Sequence, residues 1–185
     1  MRTYVALLRG INVSGNNPLK MAVLRELSES LGFTDVVTYV QSGNVVFHGT
    51  GSTADIAKVI EGRIATDLGL TIAVVVRTAK EIAAVLVQTP PVGAADLDHL
   101  HVTFLAERPK AAAVAALDVA LLKGARSAPD DFAVLGREVY VHTPNGYGRT
   151  KINTTFFERS LGMTATTRSW KTVKKLVELA SGAPS

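Results

Sequence analysis

The chain has 185 residues, of which 47% are hydrophobic and 19% are charged, with a formal net charge of +4. This length suffices for one sizeable hydrophobic core or two small ones, and the composition excludes an intrinsically disordered chain. Cysteine is absent, which excludes disulfides, thiolate metal ligands and cysteine nucleophiles. No apolar run approaches the ~18 residues of a membrane-spanning helix, so we expect a cytoplasmic protein outside the membrane.

Hydrophobic patterning predicts the order β-α-β-β-α-β in the first half of the chain. Apolar residues in strand-like runs indicate β-structure, and apolar residues three or four positions apart indicate helices. The predicted strands are Thr3–Arg9, Val36–Val40, Val45–His48 and Thr71–Arg77, and the predicted helices are residues 18–31 and Ala54–Leu68. Asn17 followed by Pro18 is typical of a helix start, and Gln41–Asn44 is typical of a tight hairpin turn.

The second half repeats this order more loosely. The predicted strands are His101–Ala106, Phe132–Leu135, Glu138–His142 and Thr164–Thr167, and the predicted helices are Lys110–Leu122 and Lys151–Leu161. The segment "NVVFH" (Asn44–His48) aligns with "EVYVH" (Glu138–His142). Weak similarity at matching places in a matching element order indicates duplication.

The predicted fold class is α+β, with two tandem ferredoxin-like (α-β plait, βαββαβ) modules, antiparallel sheets and a C-terminal helix. The predicted domain limits are residues 1–77 for the first module, 78–99 for a linking helix and loop, 100–168 for the second module, and 169–185 for a terminal helix and tail.

The first candidate site is the loop "LRGINVSGNNPLK" (Leu8–Lys20). Gly10 and Gly15 have the spacing of a phosphate-binding P-loop, but Asn16 and Asn17 stand where lysine and serine or threonine are required, which excludes that motif. In the predicted module this loop and the "QSGN" turn lie at the same end of the sheet. The candidate ligands of an anion there are Arg9, Asn12, Gln41 and Asn44. The alternative is that the glycines only supply left-handed turn geometry.

The second candidate site is a basic segment near the C-terminus. Its cations are Arg149, Lys151, Arg159, Arg168, Lys171, Lys174 and Lys175, and its one acid is Glu158. If Thr150 and Ser169 (or Thr167) are helix N-caps, Lys151 and Lys171 fall in first turns, where a cation opposes the helix dipole. A bound anion would turn this repulsion into attraction, so Arg149, Lys151, Arg168 and Lys171 are candidate ligands. The alternative is two ordinary caps whose lysines face solvent.

The sequence gives little support to a metal site, a nucleophile or an acid-base pair. The segment "DLDHLH" (Asp96–His101) offers oxygen and nitrogen ligands, but its spacing matches no established metal site. No G-x-S-x-G nucleophile motif occurs. Glu158 is the one notable acid-base candidate, and a salt bridge to Arg159 or Lys175 explains it equally well. We therefore predict no metal and no cofactor.

Three segments together resemble a known bacterial family. "YVALLRGINVSGNN", "YVQSGNVVF" and "GRTKINTTFFERSLGMTATTRSWKTVKKL" are similar to domain-of-unknown-function family 1697, from Thr3 to about Ala180. The resemblance implies two α-β plaits in tandem. It implies no activity and no catalytic residues, because none is assigned to that family.

Three functions are compatible with these observations. The first is a cytoplasmic module that binds an anionic ligand, either a phosphorylated small molecule or nucleic acid. The second is a metal-independent enzyme acting on a phosphorylated substrate. The third is a protein-interaction module whose basic segment docks an acidic partner.

Overall fold

The computed structural model describes residues 1–13, 15, 17–87, 90–120 and 129–182. In this part of the chain, α and β structure are mixed, with two four-stranded antiparallel sheets and six α-helices. The chain divides into two compact units: the first is Met1–Leu86 with the described residues from Lys174 onward, and the second is Val87–Val173. None of the helices in the described ranges is long and apolar enough to cross a membrane.

The first unit is built on a sheet with the strand order β2-β3-β1-β4. Its elements are β1 (Arg2–Leu8), α1 (Met21–Ser30), β2 (Thr34–Tyr39), β3 (Asn44–Gly49), α2 (Thr53–Leu68), β4 (Val74–Thr78) and α3 (Ala79–Val87). Ile56, Ile60 and Ile64 recur every four residues on α2, and all three are buried in one core cluster. In that cluster they meet alternate strand residues such as Tyr4 and Phe47, because alternate side chains of a strand share one face.

The second unit is built on a sheet with the strand order β6-β7-β5-β8. Its elements are β5 (Leu100–Leu105), α4 (Ala111–Ala120), β6 (Asp131–Leu135), β7 (Glu138–His142), α5 (Thr154–Leu161), β8 (Ala165–Ser169) and the start of α6 (Trp170–Ala180). Phe157 and Leu161 of α5 are buried with Leu105, Val139 and Val141 of the sheet. The helix therefore covers one face of this sheet.

The two units repeat one pattern of elements. Each has the order β-α-β-β-α-β, the same strand order, and a helix after its fourth strand. Each fourth strand also carries a buried arginine next to a hydroxyl residue, Arg77–Thr78 in β4 and Arg168–Ser169 in β8. This repetition supports the duplication inferred from sequence. The assignment of each unit to the ferredoxin-like plait and the predicted domain limits stay predictions.

Two predicted helix starts are wrong by about one turn. α1 begins at Met21 with no side-chain cap, and Asn17 instead donates its amide to the Gly10 carbonyl at 3.2 Å. α5 begins at Thr154, with the Asn153 side chain accepting the Phe156 N–H at 3.1 Å. Asn16, residues 88–89, the predicted helix end at Leu122 and the tail residues 183–185 lie outside the described residues.

Candidate functional site

The two N-terminal loops lie together, as the sequence predicts. The Leu8 N–H donates to the Gly43 carbonyl at 2.9 Å, and the Asn12 amide donates to the Gln41 carbonyl at 2.8 Å. The loop after β1 is therefore attached to the turn between β2 and β3. Neither of the two cavities described below includes a residue of these loops.

Two of the three amide side chains predicted as ligands in these loops, those of Asn12 and Asn44, hydrogen-bond within the protein. The Asn12 amide nitrogen also donates to the Leu19 carbonyl at 2.8 Å, and its oxygen accepts the Leu19 N–H at 2.9 Å. Buried Asn44 donates to the Tyr39 carbonyl at 2.8 Å and to the Ser42 hydroxyl at 3.1 Å. Both donor hydrogens of Asn12 are used in these contacts, so neither remains to bind an anion. Gln41 is exposed and Arg9 is half-buried.

We expect Asn12→Ala to lower the free energy of unfolding by about 2 kcal/mol, because three hydrogen bonds of about 1 kcal/mol each are lost, partly replaced by water. Asn12 also has a φ of +54°, which asparagine tolerates better than alanine. Urea denaturation measures the loss. The control is Gln41→Ala. This substitution removes the Gln41 side chain but keeps its backbone carbonyl, which accepts the hydrogen bond from Asn12. An equal loss in both variants would show that the Asn12 amide does not stabilise the loop.

One end of the second sheet brings together polar residues that are distant in sequence. Leu100 of β5 and Asp131 of β6 both pair with His142 at the end of β7. His101 of β5 pairs with Ser169 at the end of β8. β7 and β8 therefore end where β5 and β6 begin, and the segments before and after these strands meet at this end.

A carboxylate lies between two imidazoles at this end of the sheet. Asp96 accepts from Nδ1 of His99 at 2.9 Å and from Nε2 of His142 at 3.0 Å. The hydrogen bond from His142, and then the one from His99, hold the pKa of the Asp96 carboxyl below its ordinary value. Gly93 packs closely on His142, since a Cβ atom there would lie 2.8 Å from the ring. Within the described ranges, no group of three or more His, Cys, Asp or Glu side chains could hold a metal ion.

A network of half-buried hydroxyl groups anchors the segment that follows β7. The Tyr147 ring stacks on His101 with the ring centres 4.5 Å apart, and its hydroxyl bonds to the Thr167 hydroxyl at 3.0 Å. The same Tyr147 hydroxyl accepts the Thr154 N–H at the start of α5, at 2.9 Å. Burial lowers the pKa of His101, whose Nδ1 has no well-aligned hydrogen-bond partner in the described part of the chain. Tyr147 thus joins the post-β7 segment to the sheet and to α5.

A cavity of about 440 Å³ lies beside this anchored segment. It is lined by Asp130, Asn145, Gly146 and Arg149. Successive tight turns form one wall, because Gly146 N–H donates to the Thr143 carbonyl at 2.8 Å and Arg149 N–H donates to the Gly146 carbonyl at 3.2 Å. Asp130 reaches the cavity from the start of β6. The lining of this cavity therefore includes one basic and one acidic residue.

The basic residues predicted as ligands fall into two groups. Arg149, Lys151 and Lys171 are exposed, and all three follow strands that end at this same end of the sheet. Arg168 is buried, and it donates to the Thr166 hydroxyl at 2.8 Å and to the Thr167 carbonyl at 2.9 Å. Burial lowers the pKa of Arg168 to about 10.

Of the two helices predicted to carry a lysine in the first turn, only α6 does. Lys151 precedes the N-cap of α5 by two residues, so the prediction that it lies in the first turn is wrong. Lys171 does lie in the first turn of α6, where the Ser169 hydroxyl accepts the Thr172 N–H at 3.3 Å. Glu158 accepts the Ala165 N–H at 3.1 Å, and Lys175 pairs with Glu178 at 3.0 Å. A helix start alone therefore does not define an anion site here.

The first unit has a different kind of cavity. It measures about 230 Å³, and its lining is mostly apolar: Met1, Leu31, Gly32, Phe33, Gly49, Thr50, Asp55, Ile56 and Val59. No residue predicted from the sequence as a ligand lines it. We therefore take the polar cavity of the second unit as the candidate site.

Comparisons with known proteins found relatives whose descriptions assign no activity. A family model described as "Protein of unknown function (DUF1697)" matches residues 1–140. A solved structure, that of the conserved bacterial protein SP0830 from Streptococcus pneumoniae, is 23% identical, with 97% of this chain and 98% of that chain covered and a TM-score of 0.73. No curated protein matches. At this identity the likeness to the solved structure shows a common fold.

Proposed function

The chain belongs to the DUF1697 family of proteins of unknown function, and from this premise we propose that it binds a phosphate-bearing small molecule in the cavity of its second unit. The observation that carries the proposal is Arg149. This residue lines the cavity, and its guanidinium pairs with no carboxylate in the part of the chain that the structure describes. Guanidinium groups bind phosphate oxygens in a two-pronged geometry.

Charge around the cavity supports the same ligand class. Exposed Lys151 lies two residues after Arg149, and exposed Lys171 follows β8 at the same end of the sheet. Neighbouring cations of this kind raise the local positive potential and attract anions from solution. The open space beside Gly146, where an added Cβ would meet no atom within 4 Å, lets a ligand approach the backbone.

A small molecule fits this site better than a nucleic acid does. The cavity volume of about 440 Å³ is in the range of small-molecule sites, roughly 300–1,000 Å³. Nucleic-acid binding instead spreads over many phosphates, and its affinity falls by about 0.9 log unit per log unit of salt for each phosphate neutralised. A steep salt dependence would therefore identify nucleic acid as the ligand.

We expect inorganic pyrophosphate to bind the protein at low salt, and Arg149→Ala to weaken this binding about 10- to 100-fold. The reason is that a hydrogen bond to a charged group contributes about 1.5–3 kcal/mol. Isothermal titration calorimetry measures the affinity. The matched control is Arg159→Ala, which removes the same charge from exposed Arg159 on α5, outside the cavity lining. Absence of binding, or an equal loss in both variants, would contradict the proposal.

A metal-independent enzyme is the second candidate function, and the Asp96 cluster favours it. Asp96 holds His99 by Nδ1, which is how an acid orients a histidine that acts as a general base. No hydroxyl bonds to the His99 ring within the described ranges, so a nucleophile activated by this ring is not in place. Recovery of a chemically altered ligand after incubation would favour the enzyme over the binding module.

The fold of each unit and the cellular location of the protein are also part of this proposal. We infer that each unit is a ferredoxin-like plait, because β-α-β-β-α-β is the element order of that module. The predicted limits at residues 77, 99 and 168 separate these modules from their link and tail. We also infer a bacterial protein that works in the cytoplasm, since a cysteine-free chain needs no oxidising compartment.

A further inference from the structure

We propose that the ligand of this cavity carries an amino group or another N–H donor in addition to its phosphate, and that Asp130 recognises it. This inference rests on the proposed function and narrows its ligand class. Asp130 lines the cavity together with Arg149. The ligand would therefore place a nitrogen at Asp130 and phosphate oxygens at Arg149.

Asp130 is largely buried just before β6. Only 7% of its surface is exposed, and no hydrogen bond or ion pair to its carboxylate occurs among the described residues. Its carboxylate oxygens are not among the fully enclosed side-chain atoms that lack a partner, so these oxygens keep contact with solvent. An N–H donor that enters the cavity with the ligand would take the place of this solvent at the carboxylate.

Asp130 and Arg149 carry opposite charges. Both residues line one cavity, and they form no ion pair with each other in the described structure, so neither charge is neutralised by the other. The formal charges of the two groups cancel, so a purely anionic ligand is attracted by Arg149 and repelled by Asp130. A ligand with both a phosphate and an ammonium group is attracted by both residues.

The pairing of β6 with β7 places Asp130 at a defined end of the sheet. The next residue, Asp131, pairs with His142 at the end of β7, and the chain after His142 forms the turns that carry Asn145 and Arg149. The sheet register therefore fixes Asp130 relative to the Arg149 wall. Because Asp130 directly precedes β6 and Arg149 follows β7, the pairing of these two strands holds both residues near one end of the sheet before the ligand arrives.

The test compares 2-aminoethyl phosphate with ethyl phosphate, which differ by the amino group alone, on the full-length protein by calorimetry. We expect 2-aminoethyl phosphate to bind at least tenfold more tightly. Asp130→Asn, which keeps the shape and removes the charge, should reduce the affinity for 2-aminoethyl phosphate about tenfold and leave ethyl phosphate unchanged or tighter. Arg149→Ala should weaken both ligands.

The outcomes separate this inference from the proposed function. Equal binding of the two phosphates to the unmodified protein would overturn the role of Asp130 and leave phosphate binding intact. Absence of binding by both would overturn phosphate binding and this inference with it. Binding of Mg²⁺ or Ca²⁺ that Asp130→Asn abolishes would assign Asp130 to a cation and overturn the inference. The ligand comparison on the unmodified protein decides the question even if Asp130→Asn fails to fold.

Discussion

Replacing Gly43 by alanine is expected to lower the free energy of unfolding by about 3 kcal/mol. Gly43 has a φ of +77° in the turn between β2 and β3, where a residue with a Cβ atom costs about 1–2 kcal/mol. The added Cβ would also lie 2.5 Å from Ile11 Cδ1 and 2.9 Å from Leu8 Cβ. Forcing an extra atom into a packed core costs about 1–3 kcal/mol. Urea denaturation followed by circular dichroism measures the change.

The matched control for this experiment is Gly10→Ala. Gly10 also has a positive φ, +64°, but a Cβ there would meet no atom within 4 Å. Gly10→Ala should lower the free energy of unfolding by about 1 kcal/mol, from backbone strain alone. Similar losses at the two positions would mean that the close approach of Ile11 to the turn does not matter for stability.

The sequence predicts the elements well where apolar spacing decides them. Ile56, Ile60 and Ile64 indicate both the existence of α2 and its buried face, because only one side of that helix can meet the sheet. The hairpin of β6 and β7 is also predicted within one residue at each limit. These elements are fixed by local pattern, so no knowledge of distant residues is needed to find them.

The predicted helix starts fail because the same residues stabilise turns and helix caps. Asn17 and Thr150 both have the side-chain oxygen of a cap. In the structure Asn17 has a φ of +46° in a turn, and the Thr150 hydroxyl accepts the Ile152 N–H at 3.2 Å. Such local bonds compete with helix formation. The choice between them depends on packing that the local sequence does not contain.

Only part of the candidate site can be predicted from the sequence. Basic residues can be recognised there, but contacts between residues that are distant in the chain cannot. Arg149 and Lys151 stand out by their basic surroundings. Asp130 and His142 were missed, since their neighbours Arg149 and Asp96 come from other segments of the chain. The predicted hairpin of Phe132–Leu135 with Glu138–His142 was a usable signal: it places the residues just before its first strand opposite those just after its second.

Phe157→Ala is expected to lower the free energy of unfolding by about 4 kcal/mol. The Phe157 side chain is fully buried, and its ring meets the Phe132 ring edge-on with centres 5.2 Å apart. Truncation of a buried phenylalanine costs about 3–5 kcal/mol, from lost burial and the cavity that remains. Denaturation in urea measures the effect.

The neighbouring Phe156 on the same helix provides the control. Phe156 is only half-buried, so Phe156→Ala should lower the free energy of unfolding by about half as much.

The Phe157→Ala substitution should also weaken ligand binding in the cavity. α5 begins at Thr154, which bonds to the Tyr147 hydroxyl at 2.9 Å, and Tyr147 lies two residues before Arg149. Phe157→Ala should therefore weaken pyrophosphate binding more than Phe156→Ala does, even under conditions where both variants are folded. Unchanged affinity in Phe157→Ala would show that α5 does not hold the cavity wall.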